Sequence, residues 1–191
     1  MSRYERIFLT GFMGSGKSTV TPRLARCLGY ESVDLDNLIS RYLGMSIPAV
    51  FDVLGASTFR KRETDMLLGT SSRSNVVISL GGGSVVSDSN LRFCLENGFL
   101  VYLKATDSFL ADRLSVSLKN RPMLFGEDGT MIEGEALRMR VASLVSERAS
   151  NYERAHMTVE VDDLSLDSIA KQICTEIKTR IKTGIKNDGA C

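Results

Sequence analysis

Gly11-Phe-Met-Gly14-Ser15-Gly16-Lys17-Ser18-Thr19 is the segment with the most explicit chemistry in this chain. It has the form GxxxxGK[ST]. Glycines let the backbone curl so that successive amides point at phosphate oxygens. A helix starting at the end of the loop adds the positive end of its dipole. Gly14, Ser15, Gly16 and Thr19 are expected to line the phosphates. Lys17 is expected to reach the β- and γ-phosphates, and the Ser18 hydroxyl to ligate Mg²⁺. The motif predicts ATP or a related nucleotide as ligand. It does not separate a phosphotransferase from a GTPase or a motor ATPase. No NKxD base-reading motif is present, and 191 residues are few for a motor domain.

A second set of residues has the types needed to hold and activate an acceptor. Asp34 and Asp36 follow a strand-like segment, and residues two apart in extended chain face one side. One carboxylate can hold a metal-bound water, and the other can take a proton from an attacking hydroxyl. Asp36 also stands where a helix cap belongs, ahead of the periodic Leu38-Ile39-Tyr42-Leu43. Arg60 and Glu63 lie three apart on a predicted helix. They read either as a surface ion pair or as an arginine fork for a substrate carboxylate. Gly81-Gly82-Gly83 ends an apolar strand, marking either a tight turn or a place where a ligand approaches the backbone. Arg121, next to Pro122, sits in a segment suited to swing over phosphates. Arg148, with Tyr152 four residues later, is on another predicted helix, where a surface position is the ordinary expectation.

The elements that must position these residues alternate between strand and helix. Strands are predicted at Ile7–Thr10, Ser32–Leu35, Val76–Leu80, Phe99–Leu103 and Met157–Val161, the last alternating as an edge strand does. Helices are predicted at Ser18–Leu28, Leu91–Leu95, Phe109–Leu114 and Leu164–Ile181. This order predicts an α/β fold, three-layered α/β/α, with a mainly parallel sheet and its ligands beyond the carboxyl ends of the strands. Every glycine cluster and carboxylate above follows a strand, so all converge on that edge. Residues 117–133, richest in breaks from Lys119 to Glu133, have no helical stripe and read as a lid. One domain over residues 1–182 and a flexible tail over 183–191 are expected.

Bulk properties narrow the function classes. The formal net charge is +1, so no global basic field favours nucleic acid, and any anion site is built locally. Cys27, Cys94, Cys174 and Cys191 have no metal-ligand spacing, and His156 is the one histidine. Buried thiols and a C-terminal thiol are expected of them. Neither a signal peptide nor a membrane span is apparent, which makes a cytoplasmic location and no membrane partner the expectation.

Taken together, the motifs resemble the shikimate kinase family from about Ile7 to Val161. The residues that carry the resemblance are Gly11–Thr19, Asp34 with Asp36, Phe59–Glu63, Gly81–Gly83, Arg121–Leu124 and Arg148–Tyr152, in the family's order. The resemblance implies a five-stranded parallel sheet of the nucleoside-monophosphate-kinase type and transfer of phosphate from ATP to the 3-hydroxyl of shikimate. It implies that Lys17 contacts the transferring group, that Ser18 binds Mg²⁺, and that Asp34 assists the metal through water. Asp36 contacts the reacting hydroxyl as a base. Arg60 and Arg148 hold the shikimate carboxylate, with Arg138, Arg140 and Arg154 as neighbouring alternatives to Arg148. The Gly81–Gly83 backbone, Gly82 above all, meets the substrate, and Arg121 closes over the ATP phosphates. Three departures stand out: a longer stretch between Arg121 and Arg148, Met123 in place of leucine, and no adenine-stacking arginine in Asp162–Ser165. The small-molecule partners implied are ATP and shikimate, with a monomer expected. A kinase for another hydroxy acid, such as gluconate, is the alternative enzyme. A nucleotide-binding module without turnover is the alternative class, against which Lys17, Asp36 and Arg121 all stand.

Overall fold

The computed structural model describes residues 3–116, 122–125 and 130–183. Five strands, β1 (Arg6–Thr10), β2 (Glu31–Asp34), β3 (Val76–Ser79), β4 (Phe99–Lys104) and β5 (Met157–Glu160), form one sheet in the order β2-β3-β1-β4-β5. All four pairings are parallel, with Phe8 opposite Ile78 on one side and Leu100 on the other. The helices are α1 (Lys17–Leu28), α2 (Leu35–Leu43), α3 (Ile47–Gly69), α4 (Asp88–Asn97), α5 (Asp107–Ser115), α6 (Gly134–Tyr152) and α7 (Leu166–Thr183).

The expected strands are all present, with ends shifted by a residue or two. Leu35, Leu80 and Val161 fall just outside them, and Leu35 instead opens α2. β1 and β3 are buried at every position, as the middle of a doubly covered sheet must be. β5 leaves Thr158 and Glu160 exposed and does form an edge. Alternation along β1 sends Ile7 and Leu9 to one face, where they meet Val20 and Leu24 of α1 and Ile169, Ile173 and Ile177 of α7. Phe8 goes to the other face and joins Ile39, Val50, Phe59, Leu67 and Tyr152. Each such side chain, fully buried, contributes roughly 1.5–3 kcal/mol of transfer free energy. A third cluster joins Phe12 to α5 and α6 and includes Leu124 and Leu137.

Arg6 anchors the sheet end opposite the carboxyl edge. It is buried, and it donates to the carbonyls of Asn97 at 2.7 Å, Ser71 at 3.1 Å and Arg73 at 2.9 Å. These acceptors belong to two segments that return to that edge, the end of α4 and the connection from α3 to β3, and a charged donor ties them together.

Two features differ from the sequence reading. Cys27 of α1 and Cys174 of α7 are joined as a disulfide with Cα atoms 6.3 Å apart, where free thiols are expected. The two positions are 147 residues apart, and only the side-by-side packing of α1 and α7 brings them together. Cys94 is the buried free thiol expected, and Cys191 lies outside the described residues. The second difference is α3, of which only the Phe59–Glu63 stretch is anticipated. Its start is signalled locally: the Ser46 side chain accepts from the Ala49 amide, and Pro48 occupies the first turn. Gly55, at φ 79°, breaks the helix, so its apolar positions do not follow a single stripe. Among the described residues no single helix is long and apolar enough to cross a membrane.

Within the expected lid, Pro122–Leu124 forms a short 3₁₀ turn, and Phe125 bridges Met131. The Ile132 amide donates to Leu124 O at 2.9 Å, and Leu124 is buried. These residues attach the base of the segment to α5 and α6. Arg121 and Lys119 lie outside the described residues.

Candidate active site

The carboxyl ends of β1, β2 and β3 open into a cavity of about 690 Å³. One half is the phosphate cradle. Gly11, Gly14 and Gly16 have φ of 138°, 89° and 97°, a region that L side chains rarely adopt. A Cβ on Gly11 would also lie 2.5 Å from Leu103 O, so this position has room only for glycine. Gly16 caps α1 without a side chain. Lys17 is buried, and its Nζ donates to the carbonyls of Gly11 at 2.7 Å and Phe12 at 2.9 Å. The ammonium thus braces the loop it belongs to. Gly14, Gly16, Lys17, Ser18 and Thr19 line the cavity, and Ser18 and Thr19 are exposed to it at the head of α1. Ser15 is placed differently. It is buried, its amide donates to Phe12 O at 3.2 Å, and its side chain does not line the cavity.

The other half gathers the acceptor-side residues. Asp34 and Asp36 both line the cavity, although not as alternate residues of one extended strand. Asp34 ends β2 and is itself the α2 cap, its carboxylate accepting from the Asn37 amide at 3.1 Å. Asp36 is already in the first helical turn. The capping role weighed for Asp36 therefore falls to Asp34. Asp36 is left half-buried, with Oδ1 shielded from solvent and without a hydrogen-bond partner. Burial pushes its carboxyl up to about 6, reinforced by the charges of Asp34 and Glu63 and opposed by Lys17 and Arg60.

Arg60 and Glu63 form an ion pair at 2.5 Å, but not a surface one. Glu63 is 1% exposed and also accepts from the Ser84 hydroxyl. Arg60 lies over the Phe59 ring and lines the cavity, so the pair orients the fork rather than competing with it. A Cβ on Gly83 would come within 2.5 Å of this guanidinium and would push the fork from its place. Arg148 is 6% exposed, contrary to the ordinary expectation for its helix. It donates to Gly82 O at 3.2 Å, rests against Met123 Sδ at 3.3 Å and lies over the Phe12 ring. Arg138 pairs with Asp112, Arg154 pairs with Asp88, and Arg140 bonds Met123 O. None of these three lines the cavity, whereas Arg148 and Gly81–Gly83 do.

The cavity adds residues that the motifs do not single out. Ile47, Pro48, Phe51 and Phe59 form an apolar wall from α3. Arg113, near the end of α5, stands beside Gly16 and lies over Phe109. It brings a planar cation to the nucleotide half, where Asp162–Ser165 offers none. No motif surrounds it, and its place in the last turn of a predicted helix was the only signal.

The donor set suits Mg²⁺. Ser18 offers a hydroxyl, and Asp34 and Asp36 offer hard carboxylate oxygens, one of them an unpartnered Oδ1. Mg²⁺ takes few protein ligands, keeps several waters and takes the rest of its shell from substrate phosphates. Among the described residues no group of three or more acidic, histidine or cysteine side chains is placed to hold a metal alone.

Comparison with known proteins agrees with this geometry. The family model described as shikimate kinase matches residues 13–178. The shikimate kinase of Chlorobium chlorochromatii (strain CaD3) is 41% identical over 177 residues, 93% of each chain. That of Salinibacter ruber is 41% identical over 157 residues, covering 82% of this chain and 77% of its own. The solved shikimate kinase from Acinetobacter baumannii in complex with shikimate superposes with a TM-score of 0.81 at 31% identity, covering 97% of this chain and 96% of its own. A gluconokinase from Sinorhizobium meliloti, at 18% identity and a TM-score of 0.60, shares the fold alone. A phosphate cradle and an arginine-lined acceptor half facing one cavity, with this match over most of the sequence, place the chain in the shikimate kinase family.

Proposed function

We propose that this chain transfers the γ-phosphoryl group of ATP to the 3-hydroxyl of shikimate, giving shikimate 3-phosphate and ADP, a step of aromatic amino-acid (chorismate) biosynthesis. The observation that carries the reading is the placement of two guanidinium groups, the partly exposed Arg60 and the buried Arg148, around Gly81–Gly83 and across from the cradle. A carboxylate seated between them leaves the far side of a small ring acid facing the phosphates. Arg148 is poised for such a ligand, since its Met123 sulfur contact is a weak acceptor that a carboxylate replaces. The apolar wall of α3 suits the carbon face of the ring.

Asp36 takes the hydroxyl proton as the oxygen attacks. A carboxyl near 6 is a stronger base than an ordinary aspartate yet stays mostly ionised at neutral pH. Lys17 and the loop amides stabilise the charge that moves onto the bridging and γ oxygens. Ser18, and Asp34 through water, would hold Mg²⁺, which when bound would supply charge neutralisation at the phosphates. Arg121 is assigned to the phosphates by its motif, and Arg113 faces the nucleotide. The direct experiment is ADP release measured with shikimate, gluconate and other hydroxy acids in parallel. Shikimate is expected to give by far the highest kcat/KM. A preference for gluconate would replace the proposal with the other acid.

The clamp has its own test. Arg60→Lys and Arg148→Lys each keep the charge and lose the planar fork. Each is expected to raise the KM for shikimate by about tenfold or more, the worth of a lost charge-assisted bond, with the KM for ATP almost unchanged. An analogue with a neutral amide for the carboxylate loses little further on either substitution, because both changes remove one contact. Fully additive penalties would take the arginines off the carboxylate.

A further inference from the structure

Tyr152 has no part in the chemistry above, yet it is the largest fully buried side chain among the described residues. It closes α6, and its ring stacks on Tyr102 of β4 with centroids 5.0 Å apart. Its hydroxyl donates to the carbonyl of Gly82. A buried phenol needs an acceptor somewhere, so the bond alone means little. Its acceptor is the informative part.

The three carbonyls of the glycine turn are held in two different ways. Gly81 O accepts from the Ser84 amide at 3.1 Å, and Gly83 O from the Val86 amide at 3.2 Å, so the turn satisfies these itself. Gly82 O accepts from Tyr152 and, at 3.2 Å, from Arg148, both on the last turns of α6. Asn151, beside Tyr152, donates to Val85 O at 2.8 Å and fastens the same segment further along. The Gly82–Gly83 peptide is trans, so fixing this carbonyl fixes the direction of the Gly83 N–H as well. Gly82 also lies against the phosphate cradle, where a Cβ would be 3.2 Å from the Met13 amide nitrogen and 3.5 Å from Gly11 O. The orientation of this one peptide therefore bears on both halves of the cavity.

An incoming carboxylate changes the balance between the two donors. It competes for Arg148 with charge-assisted bonds that are shorter and stronger than the contact to Gly82 O. Tyr152, which faces no ligand and is fully buried, keeps its bond. Burial pushes its phenol up and leaves it a neutral donor at working pH.

We propose that Tyr152 is a positioning residue for the acceptor: its hydroxyl holds the Gly82–Gly83 peptide in place when Arg148 turns to the substrate carboxylate. The inference rests on Arg148 and Gly82 facing that carboxylate. Tyr152→Phe keeps the ring, its stack and its volume, and removes only the hydroxyl. It is expected to melt cooperatively and to bind ATP as wild type does. The KM for shikimate is expected to rise about five- to fifty-fold, the consequence of leaving the half-buried Gly82 carbonyl short of a donor, with kcat falling by less. The neutral-amide analogue is expected to show no further loss in Y152F. Tyr102→Phe, which removes the neighbouring hydroxyl, is the control and should leave the KM for shikimate unchanged.

An unchanged KM for shikimate in Y152F would overturn the proposal, as would an equal loss with the amide analogue, which marks a general packing effect. Arg148→Lys separates the two levels. If R148K raises the KM and Y152F does not, only the role of Tyr152 fails. If R148K leaves it unchanged, the carboxylate reading itself fails. Should Y152F not fold, 3-fluorotyrosine at position 152 of the full chain keeps ring and hydroxyl and strengthens the donor. The Gly83 amide ¹⁵N resonance is then expected to shift and the KM for shikimate to change while that for ATP does not. Absence of either would overturn the proposal.

Discussion

Lys17→Met is expected to lower kcat by about 10²–10³, the range for losing one preorganised donor to developing charge. The substitution keeps most of the aliphatic stem, which matters because Lys17 is buried. Two effects combine. The ammonium no longer meets the negative charge that gathers on the bridging and γ oxygens. The carbonyls of Gly11 and Phe12 also lose the donor that braces them at 2.7 and 2.9 Å, so the loop is less well set to aim its amides at phosphate. ATP affinity is therefore expected to fall too, while shikimate binding to the free enzyme stays within a few-fold. Stopped-flow turnover, calorimetric titration of each substrate and a thermal melt separate these effects. A kcat within a factor of a few of wild type would remove Lys17 from transition-state stabilisation and leave it as a structural brace.

Asp36→Asn is expected to reduce kcat by about 10²–10⁴, the usual worth of a general base, and at the same time to stabilise the free protein above pH 6. The second effect follows from the raised carboxyl. Asp36 sits near 6 in the folded protein, against an ordinary aspartate value of 3.8. Between these values the folded state holds the proton more tightly than the unfolded chain does. Ionised Asp36 thus weakens the fold at neutral pH, and that weakening is relieved as pH falls through about 6 and vanishes below 3.8. Removing the charge should add about 1–3 kcal/mol at pH 7.5. The difference between variant and wild type should shrink toward zero by the pH of an ordinary aspartate. Paired denaturation curves of the metal-free protein across this range test the sign. A variant less stable than wild type at pH 7.5 would mean that the carboxylate makes a structural bond. A variant with near-full kcat would make it a positioning group instead of a base.

Opposite signs on stability and turnover are common where a site keeps a charge desolvated for chemistry. The unpartnered Oδ1 of Asp36, beside the charges of Asp34 and Glu63, is the structural form of that conflict here.

Much of this protein was legible in its sequence because the information is local. A phosphate cradle is nine consecutive residues whose backbone has to curl, so Gly11–Thr19 announces itself without any tertiary contact. The five strands are short apolar runs bounded by glycine or charge, and alternation in Met157–Val161 already marked an edge or half-buried strand. Other features depend on what lies across space, which residue spacing does not report. Arg60 with Glu63 reads first as a surface pair, and only the packing that leaves Glu63 at 1% exposure makes it part of a cavity wall. Arg148 and its three arginine neighbours have the same chemistry, and the face of α6 that meets Gly82 selects one of them. The cap between Asp34 and Asp36 was settled by where β2 ends, a matter of pairing with β3. The Cys27–Cys174 bond had no local signature, and the motif spacing that marks Tyr152 and the helix end that marks Arg113 do not name the groups they meet, since each acquires its partner from a segment distant in the chain. The sequence by itself therefore determined the cradle, the alternation of strands and helices along the chain and the chemical types available to an acceptor. The tertiary structure alone decided which of those side chains face one another, because burial and pairing belong to the packed fold and not to any segment of it.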